Sequence, residues 1–338
     1  MFFFYYYIKV ITLLGYICVA LSDNRNNFLI FNFLHFHLSK CMAANFPAKL
    51  ILFGEYTIIN NSSALAIPFE KYQGKISFGS KENRKSIESN MVLEKIYQYL
   101  LDKFFKTMDI SLLREDLQKG IWFDSDIPQG YGLGSSGALV AAIYDRYFEN
   151  KESDPKKIKQ TLAEIESFFH GTSSGLDPLV SYLSKVLIIH SDKSIEIAEI
   201  NSKKPGGNSL LFLVDCGFPR KSSNLVNTYL EMSADVLFEQ DFILPMKNHV
   251  TLAIDSLLYG KSSICEAFRN ISELQYEYLQ QMIPIEFHNL WKDGLKSKDY
   301  YLKLCGAGGG GFILGYCPDK AIYERLFEGL KTTVVMEL

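Results

Sequence analysis

Asp126-Ile127-Pro128-Gln129-Gly130-Tyr131-Gly132-Leu133-Gly134-Ser135-Ser136-Gly137-Ala138-Leu139-Val140-Ala141-Ala142 reads as a loop that turns into a helix. Gly130, Gly132, Gly134 and Gly137 remove the side chains that would keep a ligand away from the backbone. Ser135 and Ser136 supply two hydroxyls just before a run of small residues with good helix propensity. A chain that becomes helical there aims free N–H groups and the positive end of the helix dipole into the loop, which favours an anion and above all phosphate. Taken alone the stretch has two other readings. Gly132, Gly134 and Gly137 satisfy the dinucleotide-binding pattern G-x-G-x-x-G, and a tight turn with Ser135 as an N-cap needs no ligand at all. A P-loop is excluded, because no Gly-Lys-Ser/Thr follows.

The remainder of the chain bounds the choice. Its 338 residues are enough for two domains with cores of their own. A hydrophobic content of 48% and a charged content of 22% are those of a globular protein. The net charge of −3 gives no sign of a nucleic-acid or anionic-membrane partner. Cys18, Cys41, Cys216, Cys265, Cys305 and Cys317 show no C-x-x-C and no framework spacing, so reduced thiols and a cytoplasmic protein are expected.

Residues 1–41 stand apart. Phe2-Phe3-Phe4-Tyr5-Tyr6-Tyr7 opens an apolar run to Leu21, near the ~20 residues a membrane span requires. A membrane anchor and a signal segment are therefore open readings, although no basic stretch precedes the run and Lys9 lies inside it. The favoured reading is sequence upstream of the true start, since Met42 immediately precedes the first patterned element and the excess of Phe, Tyr, Asn, Ile and Lys is what AT-rich DNA yields on translation. No stable membrane association is expected.

From Met42 the pattern is mixed. Ala48–Ile59 reads as a strand with Lys49 near its start and Gly54-Glu55 within it, and Ala64–Pro68 as a second strand, with β pattern resuming at Lys75–Phe78. Helical spacing runs over Glu88–Phe105, Leu139–Phe148 and Lys156–His170, with a short strand at Ile121–Phe123. In the helix ending at His170, Glu166 falls at the margin of the apolar face, where a carboxylate needs a cation or a donor; a solvated boundary residue is the bland alternative. Asp177-Pro178 has the form of an N-cap followed by an N1 proline. Val186–His190 and Ser194–Ile200 read as paired strands, and Asn201–Asn208 as the linker between domains. Beyond it come a strand at Leu210–Asp215, helices over Ser222–Leu237, Leu252–Tyr259 and Ile264–Met282, strands at Tyr300–Leu304 and Phe312–Tyr316, and a helix at Ala321–Leu330. Between the last two strands lies Gly306-Ala307-Gly308-Gly309-Gly310-Gly311, a turn whose glycines invite close approach by a ligand or another loop.

Three separated segments, Lys49-Leu50-Ile51-Leu52-Phe53-Gly54-Glu55, Gly132-Leu133-Gly134-Ser135-Ser136 and Lys303-Leu304-Cys305-Gly306-Ala307-Gly308-Gly309-Gly310-Gly311, resemble the three signature motifs of the GHMP kinases. A fourth, His170-Gly171 with Ser174-Gly175-Leu176-Asp177, is similar to the H-G-x-x-S-G-x-D segment of the mevalonate kinases within that superfamily. The likeness runs in order from Ala48 to the C-terminus and leaves out the first 41 residues. The dinucleotide reading loses to it, because that fingerprint belongs in the first βα turn of a domain.

The resemblance implies an α+β, two-domain GHMP kinase fold. A ribosomal-protein-S5-like N-terminal domain is expected over residues 42–204 and a ferredoxin-like C-terminal domain over 205–338. It implies ATP-dependent phosphorylation of mevalonate to 5-phosphomevalonate in isoprenoid synthesis, with ATP as co-substrate and Mg²⁺ as cofactor, and leaves a homodimer open. By the same likeness Gly130, Tyr131, Gly132, Leu133, Gly134, Ser135, Ser136 and Gly137 hold the triphosphate, and Ser136 and Glu166 ligate Mg²⁺, both being oxygen donors. Asp177 matches the catalytic acid, with Lys49 pairing with it and with the γ-phosphate. Glu55 and Tyr56 lie on the substrate side, and Gly306, Ala307, Gly308, Gly309 and Gly310 support the phosphate loop. The chain departs from the pattern at three places: Tyr56 stands for the usual His, Gly137 for Ala and Cys305 for Thr. Phosphomevalonate kinase is the nearest rival; it generally carries an acidic residue late in the third glycine run, where this chain has Gly311. Galactokinase would need a sugar-binding opening that is absent. A non-catalytic GHMP-fold binding module would be expected to have lost Asp177, Lys49 or Glu166, and all three are present.

Overall fold

The computed structural model describes residues 44–79, 84–200, 207–220 and 224–338. The expectations for residues 1–41 and for residues 201–206 of the linker at 201–208, with the domain boundary placed there, lie outside these.

Two antiparallel sheets organise the chain from residue 45 onward. The first is built on β1 (Phe46–Phe53) and β2 (Ala64–Phe78), which pair from Phe46↔Gly74 to Phe53↔Leu65. β3 (Ile121–Ser125) pairs with the later half of β2, β4 (Val186–Ile189) with its start, and β5 (Ile195–Ala198) with β4. The second sheet has the order β7 (Tyr301–Leu304), β8 (Phe312–Cys317), β6 (Leu210–Asp215), β9 (Thr332–Glu337). The mixed α+β class with two sheets is the GHMP kinase architecture expected above.

The helices on the first sheet determine where the site forms. α1 (Arg84–Phe104) packs on β3, and α2 (Ile110–Gln118) returns beneath it. α3 (Ser135–Tyr147) is buried from Gly137 to Tyr144, because its small residues Gly137, Ala138, Ala141 and Ala142 let it lie directly on β1 and on a later helix. α4 (Pro155–His170) buries Ile158, Leu162, Ile165 and Glu166 on one stripe, and α5 (Leu176–Leu183) packs against α3, α4 and β1. On the second sheet, α6 (Leu225–Met232) is followed by a short turn from Val236 that passes through a π-turn at Glu239–Ile243 into α7 (Leu244–Tyr259). α8 (Ile264–Tyr278) and α9 (His288–Ser297) lie over β7, and α10 (Lys320–Leu326) precedes β9.

Several boundaries differ from expectation for local reasons. β1 ends at Phe53, since Gly54 takes a left-handed φ of 96° and a 3-10 turn follows at Thr57–Asn60. β2 is continuous through Phe78, because β3 and β4 together supply partners along it. α2 and α9 are not expected from the sequence, because fewer than half of their residues are apolar. No described helix is long and apolar enough to cross a membrane.

Candidate active site

β1 delivers Lys49 and the loop before α3 meets it there. The Lys49 backbone N–H donates to the Leu133 carbonyl at 2.9 Å, which fixes strand to loop. The Lys49 side chain, buried, reaches Asp177 with its Nζ 2.9 Å from Oδ1. Gly134 makes this passage: it has φ +71, and a Cβ built on it would lie 2.9 Å from Lys49 Cγ. Both N-cap readings of the sequence are corrected here. α3 is capped by Gly134 and α5 by Gly175, each in the left-handed conformation, so Ser135 is the first helical residue and Asp177 sits inside the first turn of α5. Asp177 is therefore free to serve Lys49 rather than its own helix end. The amides at the start of α3, Ser135 and Ser136 among them, have no carbonyl four residues back to receive them, and they open on the same spot.

Glu166 comes in from α4. It is only 5% exposed, and its carboxylate accepts from Ser173 Oγ and, at 3.5 Å, from Ser136 Oγ. Ser136 Oγ also lies 3.0 Å from His170 Nε2. Burial first, and then the negative charge of Asp177, push the Glu166 carboxyl up to about 7, against the opposing influence of Ser173, Lys49 and Ser136. Two acids thus converge with one lysine between them, a shortage of positive charge. Among the described residues no three His, Cys, Asp or Glu side chains converge as a self-sufficient metal site. Glu164, on the opposite face of the same helix, pairs with Lys103 near the surface.

The third glycine run closes the cleft from the other sheet. It presses on the phosphate loop: a Cβ on Gly311 would lie 2.8 Å from the Tyr131 carbonyl oxygen. Glu55 is engaged by Lys303 in a buried ion pair, and Tyr56 donates its hydroxyl hydrogen bond to the Ala307 carbonyl. Arg220, which sequence reasoning missed, stands at the seam between the two loops. Its backbone N–H donates to the Gly130 carbonyl at 3.0 Å, its guanidinium packs beside Gly132 and Gly306, and its Nε is buried without a hydrogen-bond partner. The only signal in the sequence was a lone Pro219-Arg220 after a buried strand, with no spacing to mark it.

Lys49, Glu55, Tyr56, Ser136, Asp177 and Arg220 line one cleft of about 1110 Å³. The phosphate loop and Gly306-Ala307 line it as well, together with Val92, Trp122 and Phe169. A polar floor of loop amides, one lysine–aspartate pair and one shielded glutamate suits transfer of a phosphoryl group between bound anions.

Comparison with known proteins gives the same picture. Residues 91–185 match the family model described as the GHMP kinases N terminal domain. A mevalonate kinase of Thermococcus sibiricus is 24% identical over 323 residues, covering 82% of this chain and 89% of the relative. That of Thermococcus gammatolerans is 29% identical over 319 residues, with the same two coverages of 82% and 89%. Among solved structures, L. major mevalonate kinase in complex with R-mevalonate is 16% identical and superposes with a TM-score of 0.60 over 88% of this chain and 96% of its own; at that identity the likeness concerns the fold.

Proposed function

The chain belongs to the GHMP kinases, and on that premise we propose that it transfers the γ-phosphoryl group of ATP to the C5 hydroxyl of mevalonate. The observation that carries the reading is the Lys49–Asp177 pair, 2.9 Å apart at the opening of α3. Loop amides from Gly130 to Ser136 hold the phosphates, and the positive end of α3 faces the charge that develops on them. Asp177 accepts the hydrogen bond of the acceptor hydroxyl and is the base nearest its proton. As the new oxygen–phosphorus bond forms, the bond to the ADP oxygen breaks, with Lys49 beside the oxygens of the migrating group. Arg220 adds a second cation, which suits an acceptor that carries a carboxylate. Mevalonate as the acceptor is supported by the mevalonate kinases of Thermococcus sibiricus and Thermococcus gammatolerans, each matched over 89% of its length.

The donor set fits Mg²⁺. Ser136 and Glu166 are both oxygen donors, and Glu166 is a buried carboxylate lacking enough positive charge. Mg²⁺ takes one or two protein oxygens and completes its shell with water and phosphate, so the absence of a larger acidic cluster among the described residues is in keeping. When bound, the ion neutralises charge on the β- and γ-phosphates. Action in the cytoplasm belongs to the same proposal, and the free Cys216, Cys265, Cys305 and Cys317 support a reducing compartment.

The test is ADP release with mevalonate, phosphomevalonate, homoserine and galactose as acceptors, run for the wild type and for Asp177→Ala. Mevalonate is expected to give the highest kcat/KM. Asp177→Ala is expected to lose roughly 10³-fold or more in kcat with ATP binding retained. A preference for phosphomevalonate would make the rival assignment correct, and near-normal turnover of Asp177→Ala would remove that residue from the chemistry.

A further inference from the structure

Glu55 and Tyr56, in the turn after Gly54, are expected on the substrate side, and both line the cleft. We propose instead that this turn is a clamp on the third glycine loop, with Glu55 and Tyr56 as positioning residues that govern nucleotide binding and leave acceptor recognition to other groups. The inference rests on the kinase reading above.

Glu55 is turned into the protein. Its side chain is 3% exposed and that of its partner Lys303 1%. Lys303 also donates to the Leu304 carbonyl at 2.8 Å, and Gln275 Oε1 accepts from the Leu304 N–H at 2.7 Å. Gln275, like Lys303, favours the ionised form of the Glu55 carboxyl. Burial pushes the Glu55 carboxyl up and Lys303 opposes this, which makes each charge depend on the other. Tyr56 reaches the crest of the same loop. Its hydroxyl donates to the Ala307 carbonyl, and its ring packs on Tyr229 at 4.7 Å between centroids. Tyr229 is held in turn by its own hydrogen bond to Asn60 Oδ1 at 2.6 Å. Tyr56 adopts φ +64, a left-handed conformation unusual for an aromatic residue, which these contacts hold in place. One neighbour therefore grips the strand that feeds the loop, at Lys303, and the other grips the loop itself, at Ala307.

The loop so held is in contact with the phosphate cradle. A Cβ on Gly311 would meet the Tyr131 backbone at 2.8 Å, and one on Gly132 would come within 3.5 Å of the Cys305 carbonyl. Displacing the third loop therefore displaces the backbone that binds ATP. In families where His follows Gly-Glu, an imidazole would be shorter than the phenol that here spans to Ala307.

The experiment compares Glu55→Gln, Lys303→Met, the double variant Glu55→Gln/Lys303→Met, and Tyr56→Phe. ATP affinity is read by direct binding titration in Mg²⁺ without acceptor, and acceptor KM and kcat by ADP release. Glu55→Gln and Tyr56→Phe are each expected to weaken ATP binding about tenfold, with acceptor KM within about twofold of wild type. The double variant removes both buried charges and is expected to recover ATP affinity relative to Glu55→Gln. Should Glu55→Gln fail to fold, Tyr56→Phe introduces no unpaired charge and carries the comparison. Wild-type ATP affinity in Glu55→Gln and Tyr56→Phe, or an acceptor KM that rises in them as much as the ATP dissociation constant, overturns the clamp. The binding arm needs no turnover, so a wrong acceptor assignment shows separately, as a wild-type enzyme inactive on mevalonate.

Discussion

Gly137 and Glu166 show how much a single side chain decides in this cleft. A Cβ on Gly137 would lie 2.8 Å from the Pro178 nitrogen and 2.9 Å from the Asp177 Cβ. The obstacle is mostly backbone, which does not rotate aside. Gly137→Ala restores the residue usual in the family and gains about 1 kcal/mol of helix propensity, yet overpacking costs about 1–3 kcal/mol, and the strain falls on Asp177. We expect kcat to drop about tenfold with ATP affinity little changed; a variant that is more stable and fully active would refute the close-packing argument. For Glu166 the sign follows from its raised carboxyl, about 7 folded against 4.5 as the ordinary value. The folded state then holds the proton more tightly than the unfolded chain. The stabilisation is complete below about 4.5 and is lost as pH rises through 7, with a ceiling of about 3 kcal/mol. Without divalent cation, Glu166→Gln should melt higher than wild type at pH 8 and level with it at pH 5, while losing kinase activity. Equal destabilisation at both pH values would show that the carboxylate is not the strained group.

At the scale of elements, most of what builds the site could be read from the sequence, because motif glycines and buried strands leave strong local signals. The apolar run of β1 with its single lysine, the loop before α3 and the stripe of α4 were legible in this way. Glu166 could be placed at the edge of that stripe by angle alone, although its partners Ser173 and Ser136 could not. What was lost depended on distant partners. Tyr56 pairs with Ala307 and Glu55 with Lys303 across more than two hundred residues, and Arg220 acquires its setting only when two loops close on it. The end of β1 and the caps of α3 and α5 were misjudged because glycines at positive φ took roles that Ser135 and Asp177 could have filled by type. α4 offers a test of local architecture separated from chemistry. Asp154 caps it, accepting from the Lys156 N–H at 2.9 Å, with Pro155 in the first turn. Asp154→Ala should cost about 1 kcal/mol, read by chemical denaturation, with kcat unchanged. A large fall in kcat would mean that fraying reaches the far end of the helix, where Glu166 and His170 sit.

The whole molecule poses a question that neither sheet answers alone: whether the halves that form the cleft fold as one unit. Their cores are continuous. Phe268 on α8 is fully buried, meets Phe53 at the end of β1 edge-on at 6.0 Å, and lies 5.6 Å from the ring of Tyr316 on β8. Tyr131 of the phosphate loop packs on Phe312 of the second sheet at 5.2 Å. The contacts from Asn45 to Leu338 form a single compact unit. The two tryptophans make this testable, since Trp122 lies in β3 on the first sheet and Trp291 in α9 over the second. Trp122→Phe and Trp291→Phe each leave one fluorescent reporter, and both reporters should give the same denaturant midpoint. Phe268→Ala opens a cavity at the junction and should cost about 3–5 kcal/mol. If the halves are coupled, both midpoints shift together by that amount, and ATP raises both together because its cradle is closed from each side. A shift confined to the Trp291 reporter would show that the second sheet unfolds on its own, leaving the cleft an interface between independent domains.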